Sequence, residues 1–125
     1  MPIDPSIPLD PGDIFWITVP SLPGSAQSGR RPCIVMSRRL ANVQNTAIVV
    51  PMTAKTFRAN SYNILLPVSE IIRDIGCTSV IKTSVALCSH AFVVDKRYFE
   101  SKFGKLSQNA VLAVQLGLAF LFDIR

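Results

Sequence analysis

The chain has 125 residues and a mass of 13.7 kDa, the size of one domain, and can bury roughly two-thirds of its unfolded surface without disulfides or metals. With 49% hydrophobic residues and a mean hydropathy of +0.36, disorder is excluded for most of the length, because burial offsets the entropy of ordering. Thirteen Lys and Arg against eight Asp and Glu leave a formal charge of +5, although only 17% of residues are charged, so a sparse charge set is tilted toward anionic partners.

Prolines at positions 2, 5, 8 and 11 repeat with the three-residue turn of polyproline II. Residues 1–11 therefore read as an extended arm lying on its own domain or on a partner subunit, and residues 12–125 as a single domain. The arm lacks the cationic start and apolar core of a secretion signal, and a cytoplasmic location is expected. The run from Asp13 to Val19, rich in β-branched and aromatic residues, predicts the first strand. Residues 20–31, with two prolines and two glycines among small polar residues, predict a surface loop. Pro32–Ser37 and Thr46–Met52 are short apolar runs between turn signals and read as buried strands.

A second basic loop, Thr53 to Asn60, leads to a strand candidate at Tyr62–Pro67. Val68–Ile75 is expected to form a short helical turn with Glu70 and Asp74 outward. Cys77–Ser89 predicts two strands with a break near Lys82 and Thr83, and Ala91–Asp95 closes the predicted strand set. Ser107 is placed to cap a helix running to about Phe122, with Leu106 able to staple onto Val111. That helix is apolar almost all round, so it needs more cover than one sheet face provides, which argues for a subunit interface. Its apolar run, Ala110 to Phe122, falls well short of the ~20 residues that span a bilayer, and no membrane contact is expected.

Cys33, Cys77 and Cys88 lie in apolar surroundings without a Cys-x-x-Cys pair and read as buried free thiols. His90, the single histidine, stands two residues after Cys88 without the further ligand pair of a zinc site, so no metal is expected. Between Asp13 and Glu70 there is no acidic residue, whereas Arg30, Arg31, Arg38, Arg39, Lys55 and Arg58 all fall in that span. Placed in the loops between strands, they predict a positive rim able to gather polyanions, though a solvated basic surface has the same composition. Phosphodiester cleavage needs a group to handle the proton of the attacking hydroxyl and donors for the phosphoryl oxygens. Arg31, with its planar fork, can grip a phosphate, and Thr53 can donate to a non-bridging oxygen. By spacing alone, a surface ion-pair partner at Arg31 and a strand-end turn residue at Thr53 fit as well.

The order of segments over roughly residues 12–122 resembles the MazF/PemK (Kid) family of toxin endoribonucleases. Gly12-Asp13-Ile14-Phe15-Trp16 is similar to the family's opening strand, and Gly24 to Pro32 to its Gly-x-Glu-Gln-x-Gly-x-Arg-Pro loop. Ile48-Val49-Val50-Pro51-Met52-Thr53, Thr83-Ser84-Val85-Ala86-Leu87, Asp95-Lys96-Arg97 and Gly104-Lys105-Leu106-Ser107 follow in the family's order. The resemblance implies a mainly β (α+β) fold: a small SH3-like β-barrel with short helices and a C-terminal helix, as in MazF and CcdB. It further implies a homodimeric toxin of a type II toxin-antitoxin system. The activity implied is metal-independent, sequence-selective cleavage of single-stranded mRNA by 2′-hydroxyl attack, inhibiting translation, with no cofactor. An acidic, partly disordered MazE-like antitoxin, binding DNA together with the toxin, is the implied partner. Arg31 and Thr53 match the family's catalytic Arg and Thr, while Arg30, Gln27, Lys55 and Arg58 are expected to contact RNA.

The chain departs from the pattern at Ala26, where the family has Glu, and at Ser89-His90-Ala91-Phe92, where it commonly has Glu-Gln-Ile-Arg. His90 is accordingly a candidate either for acid-base chemistry or for an RNA or interface contact. Trp16, Phe57 and Phe92 are candidates for base stacking or for the core. The alternative function is a non-enzymatic interaction protein on the same fold, such as a gyrase poison like CcdB or a cleavage-deficient paralogue that binds RNA or antitoxin.

Overall fold

The computed structural model describes residues 7–19, 29–39 and 45–124. Among the described residues eight strands form: β1 (Asp13–Val19), β2 (Gly29–Val35), β3 (Thr46–Thr53), β4 (Ile64–Leu66), β5 (Ile71–Arg73), β6 (Ser84–Ala86), β7 (Phe92–Asp95) and β8 (Phe99–Leu106). One helix, α1 (Gln108–Leu121), follows. All pairings are antiparallel, in the order β4-β6-β3-β2-β1-β8-β5, with β7 joined to β3 as a branch. The sheet curls into a nearly closed barrel, the mainly β architecture implied by the motif order.

Strands β1 to β3 are buried on both faces, which explains why they read as continuous apolar runs. Ile14, Ile34, Val50 and Met52 enter one core together with Phe103, Leu106, Val111 and Val114. Their neighbours Phe15, Ile17, Cys33, Val35 and Val49 enter a second core with Phe99. Leu9 is fully buried in that second core, and Asp10 accepts two bonds from the Arg39 guanidinium at 2.6 and 2.7 Å. The described end of the proline-rich arm therefore packs on its own domain; its first six residues lie outside the described residues. Gly12 makes the turn from arm to β1 with φ +100°, a left-handed conformation favouring glycine. A Cβ there would also stand 2.7 Å from Val111.

Several expected elements differ. Gly29, Arg30 and Arg31 belong to β2 rather than to the loop, because β1 offers them partners at Val19, Thr18 and Ile17; residues 20–28 lie outside the described residues. Only Val68–Glu70 forms a single 3-10 turn, after which Ile71–Arg73 pairs with β8 as β5. Glu70 is half-buried rather than outward and accepts a bond from the Ser107 hydroxyl. Residues 77–83 form no strand, leaving β6 alone in that region, followed by a 3-10 turn at Cys88–His90. Strand β8, absent from the expected set, lies after β7. Its Glu100, Lys102 and Lys105 dilute the apolar signal, and register shifts against β1 break the simple alternation.

The Ser107 hydroxyl accepts the Ala110 N–H at 3.1 Å and caps α1 as expected. Ala110, Val111, Val114 and Gly117 face inward, whereas Leu112, Leu116 and Phe120 expose an apolar stripe. Among the described residues no helix is long and apolar enough to cross a membrane. The three cysteines are free; burial pushes the Cys33 thiol up to about 12 and the Cys88 thiol to about 11.

Candidate functional site

Strands β2 and β3 pair Val35 with Val49, Ile34 with Val50 and Cys33 with Pro51. That ladder ends at Cys33–Pro51; two residues further along each strand, Arg31 pairs with Ile17 of β1 and Thr53 with Val85 of β6. Arg31 and Thr53 are half-buried, so the strands fix their backbones while part of each side chain meets solvent. Thr53 ends β3 beside Val85 of β6, and its Oγ1 accepts the Lys55 N–H at 3.3 Å. The 3-10 turn Thr56–Arg58 follows, with Lys55 exposed and Arg58 half-buried.

His90 arrives from the far side of β3. The Leu87 N–H donates to the Pro51 carbonyl at 2.9 Å, and the His90 N–H donates to the Leu87 carbonyl at 2.9 Å, so the turn hangs from β3. Buried Asn63 fastens it, its Oδ1 accepting the Ser89 N–H and hydroxyl, each at 3.2 Å. Burial, followed by the positive charges of Arg58 and Arg31, holds the His90 imidazole below its ordinary value. The structure thus puts Arg31 and Arg58 within electrostatic reach of His90, while Thr53 and Lys55 are joined to each other at the end of β3.

Arg30 does not join them. Strand alternation turns it to the other face, where its guanidinium lies 4.2 Å from the centre of the Trp16 ring and its Nε donates to Glu100 at 2.8 Å. The Thr18 hydroxyl donates to the same carboxylate at 2.9 Å. A groove of about 230 Å³ opens beside this face, lined by Trp16, Pro32, Met52, Thr53, Lys82 and Phe103 among others. Gln27 lies outside the described residues. Phe57 is 81% exposed and is therefore no core residue, whereas half-buried Phe92 packs against the second core.

The acid-free span is less positive in space than along the chain, since Glu100 pairs with Arg30 and Asp10 with Arg39. Sequence reasoning missed Glu100 and Asn63. Glu100 lies 70 residues from Arg30, and nothing local marks either residue. Among the described residues no group of three His, Cys, Asp or Glu side chains is arranged to hold a metal ion.

The fold is a small, nearly closed antiparallel barrel followed by one helix, with Arg31 within β2 and Thr53 at the end of β3. The chain belongs to the family of PemK-like, MazF-like toxins of type II toxin-antitoxin systems, which matches residues 10–122. Its fold is shared with MazF from Deinococcus radiodurans at 22% identity and TM-score 0.73, covering 95% of this chain and 100% of that one. It is likewise shared with the toxin MazF-mt6 of Mycobacterium tuberculosis at 15% identity and TM-score 0.68, covering 90% and 98%. A mycobacterial endoribonuclease in complex with its cognate antitoxin gives 14% identity and TM-score 0.69, covering 95% and 98%. No curated protein matches the chain.

Proposed function

We propose that this toxin is a metal-independent endoribonuclease that cuts single-stranded mRNA in the cytoplasm and so inhibits translation. The observation that supports this reading is the convergence of the Arg31 and Arg58 charges on His90, on the turn that hangs from β3 two residues before Thr53. The 2′-hydroxyl oxygen attacks the adjacent phosphorus and the 5′-oxygen leaves, giving a 2′,3′-cyclic phosphate and a 5′-hydroxyl end. Arg31 meets the charge that grows on the phosphoryl oxygens, and the Thr53 hydroxyl donates to a non-bridging oxygen. Lys55 and Arg58 hold neighbouring phosphates, and exposed Phe57 offers a face on which a base can stack.

Structures of MazE with MazF from Deinococcus radiodurans and of the mycobacterial endoribonuclease with its antitoxin support a similar partner for this chain. A disordered acidic segment would bind the Arg31, Lys55 and Arg58 surface and fold as it does so. The exposed stripe on α1 is the face proposed to join two copies into a homodimer.

The test is to incubate the protein with mixed-sequence single-stranded RNA in EDTA and to map the ends produced, alongside Arg31→Ala. Cleavage is expected to fall about 10²–10³-fold in the variant, the cost of losing one transition-state donor. Intact RNA with wild-type protein would overturn the enzyme reading in favour of a non-enzymatic binding protein. Equal cleavage by the variant would overturn the role of Arg31. With about three cations on phosphates, the log-log salt slope of RNA binding should be near −2, at ~0.7 per contact.

A further inference from the structure

The ribonuclease reading leaves one step without an agent, the removal of the proton from the attacking 2′-hydroxyl. A guanidinium offers donors and no acceptor, and a threonine hydroxyl is no base. None of the elements that build the site, β2, β3 and the turns Thr56–Arg58 and Cys88–His90, carries a carboxylate. We propose that His90 is the general base, accepting the 2′-hydroxyl proton as the oxygen attacks phosphorus. This inference rests on the ribonuclease reading.

The placement follows from one strand pair. Pro51 pairs with Cys33 and accepts the Leu87 N–H at 2.9 Å, at the start of the turn that ends in His90. Thr53 stands two residues after Pro51, and Arg31 two residues before Cys33. The turn thus hangs from the last pair of the β2–β3 ladder, the Arg31 charge reaches the imidazole, and the Asn63 bonds to Ser89 hold the turn there. The imidazole is only partly buried, so a substrate can reach it. The elements packed against the turn, α1 and β3, carry no titratable side chain. Arg58 and Arg31 are the charged groups that face it; burial first, then these two charges, hold the imidazole below its ordinary value, which favours the neutral form that accepts a proton.

The same two cations would oppose an imidazolium in the empty site. A bound phosphate relieves this, and relieves it most in the transition state, where the phosphoryl group carries its greatest negative charge. In the step itself the O2′–P bond forms as the P–O5′ bond breaks. The 2′ proton passes to His90, the departing 5′-oxygen takes a proton from water, and the imidazolium returns its proton to solvent.

The experiment measures cleavage of an RNA oligonucleotide against pH for wild type, His90→Ala, His90→Gln and Arg58→Ala. Affinity is measured in parallel on an oligonucleotide with a 2′-deoxy sugar at the cut site. His90→Ala and His90→Gln should each lose about 10²–10⁴-fold in rate with affinity kept, and added imidazole should restore part of the rate to His90→Ala. The wild-type acid limb should have its midpoint below pH 6.5 and vanish in both His90 variants. Removing the Arg58 charge should move the midpoint upward. Retention of the wild-type rate and acid limb by either His90 variant would overturn the proposal. So would parallel loss of rate and affinity with no rescue, which marks a contact role. Absence of cleavage by the wild-type chain would overturn the ribonuclease reading itself, a result distinct from active wild type with indifferent variants.

Discussion

Arg30 and Arg31 are adjacent in the chain and belong to different surfaces, because successive strand residues point to opposite faces. The charge of Arg31 acts on His90, while Arg30 is held by Glu100 against Trp16. The bond from Arg30 holds the Glu100 carboxyl below its ordinary value; burial opposes this, and the Thr18 bond adds to it. A carboxylate lowered in the folded state stabilises the protein above its unfolded value of 4.5, and that stabilisation is lost as pH falls through the folded value. With side chains 48% and 31% exposed, the pair contributes about 1 kcal/mol or less after solvent screening. Glu100→Gln should therefore unfold slightly earlier than wild type in urea at neutral pH, and the gap should close in acid. A gap that persists unchanged in acid would show that the ion pair is not its source.

Strand β5 and α1 depend on contacts that cross the chain. Ile71–Arg73 is short and becomes a strand because β8 supplies its partners, with Ile71 opposite Leu106 and Arg73 opposite Gly104. Gly104 is buried in that pairing, and a Cβ added to it would collide with the Ile72 carbonyl, a backbone atom that cannot swing away. Gly104→Ala should cost about 1–3 kcal/mol through overpacking, read as a lower urea midpoint. An unchanged midpoint would mean that β5 can shift without loss. The helix by contrast carries its own start signal, since Ser107 both caps it and ties it to Glu70 beside β5.

On the scale of the whole molecule, α1 buries one face and leaves Leu112, Leu116 and Phe120 at 55%, 62% and 62% exposure. These positions lie one turn apart and form a stripe that a monomer would leave in water. Light scattering should give twice the 13.7 kDa chain mass for wild type, and Leu116→Glu should return the monomer; a monomeric wild type at micromolar concentration would refute the dimer. The runs of β1, β2, β3 and β7, the Ser107 cap and the end of α1 were legible locally, because periodicity and capping are written in neighbouring residues. The motif order identified the family and the barrel, and pointed to Arg31 and Thr53. It could not show β8 and β5 pairing, nor that Glu100 and Asp10 would answer two of the six cations in the acid-free span. Sequence determined which segments could be strands and which residues could do chemistry, since those are short-range properties. Only the tertiary structure decided that the Arg31 and Arg58 charges act on His90 while Arg30 is tied to Glu100. Strand register and charge pairing are set by packing between residues far apart in the chain, where spacing carries no information.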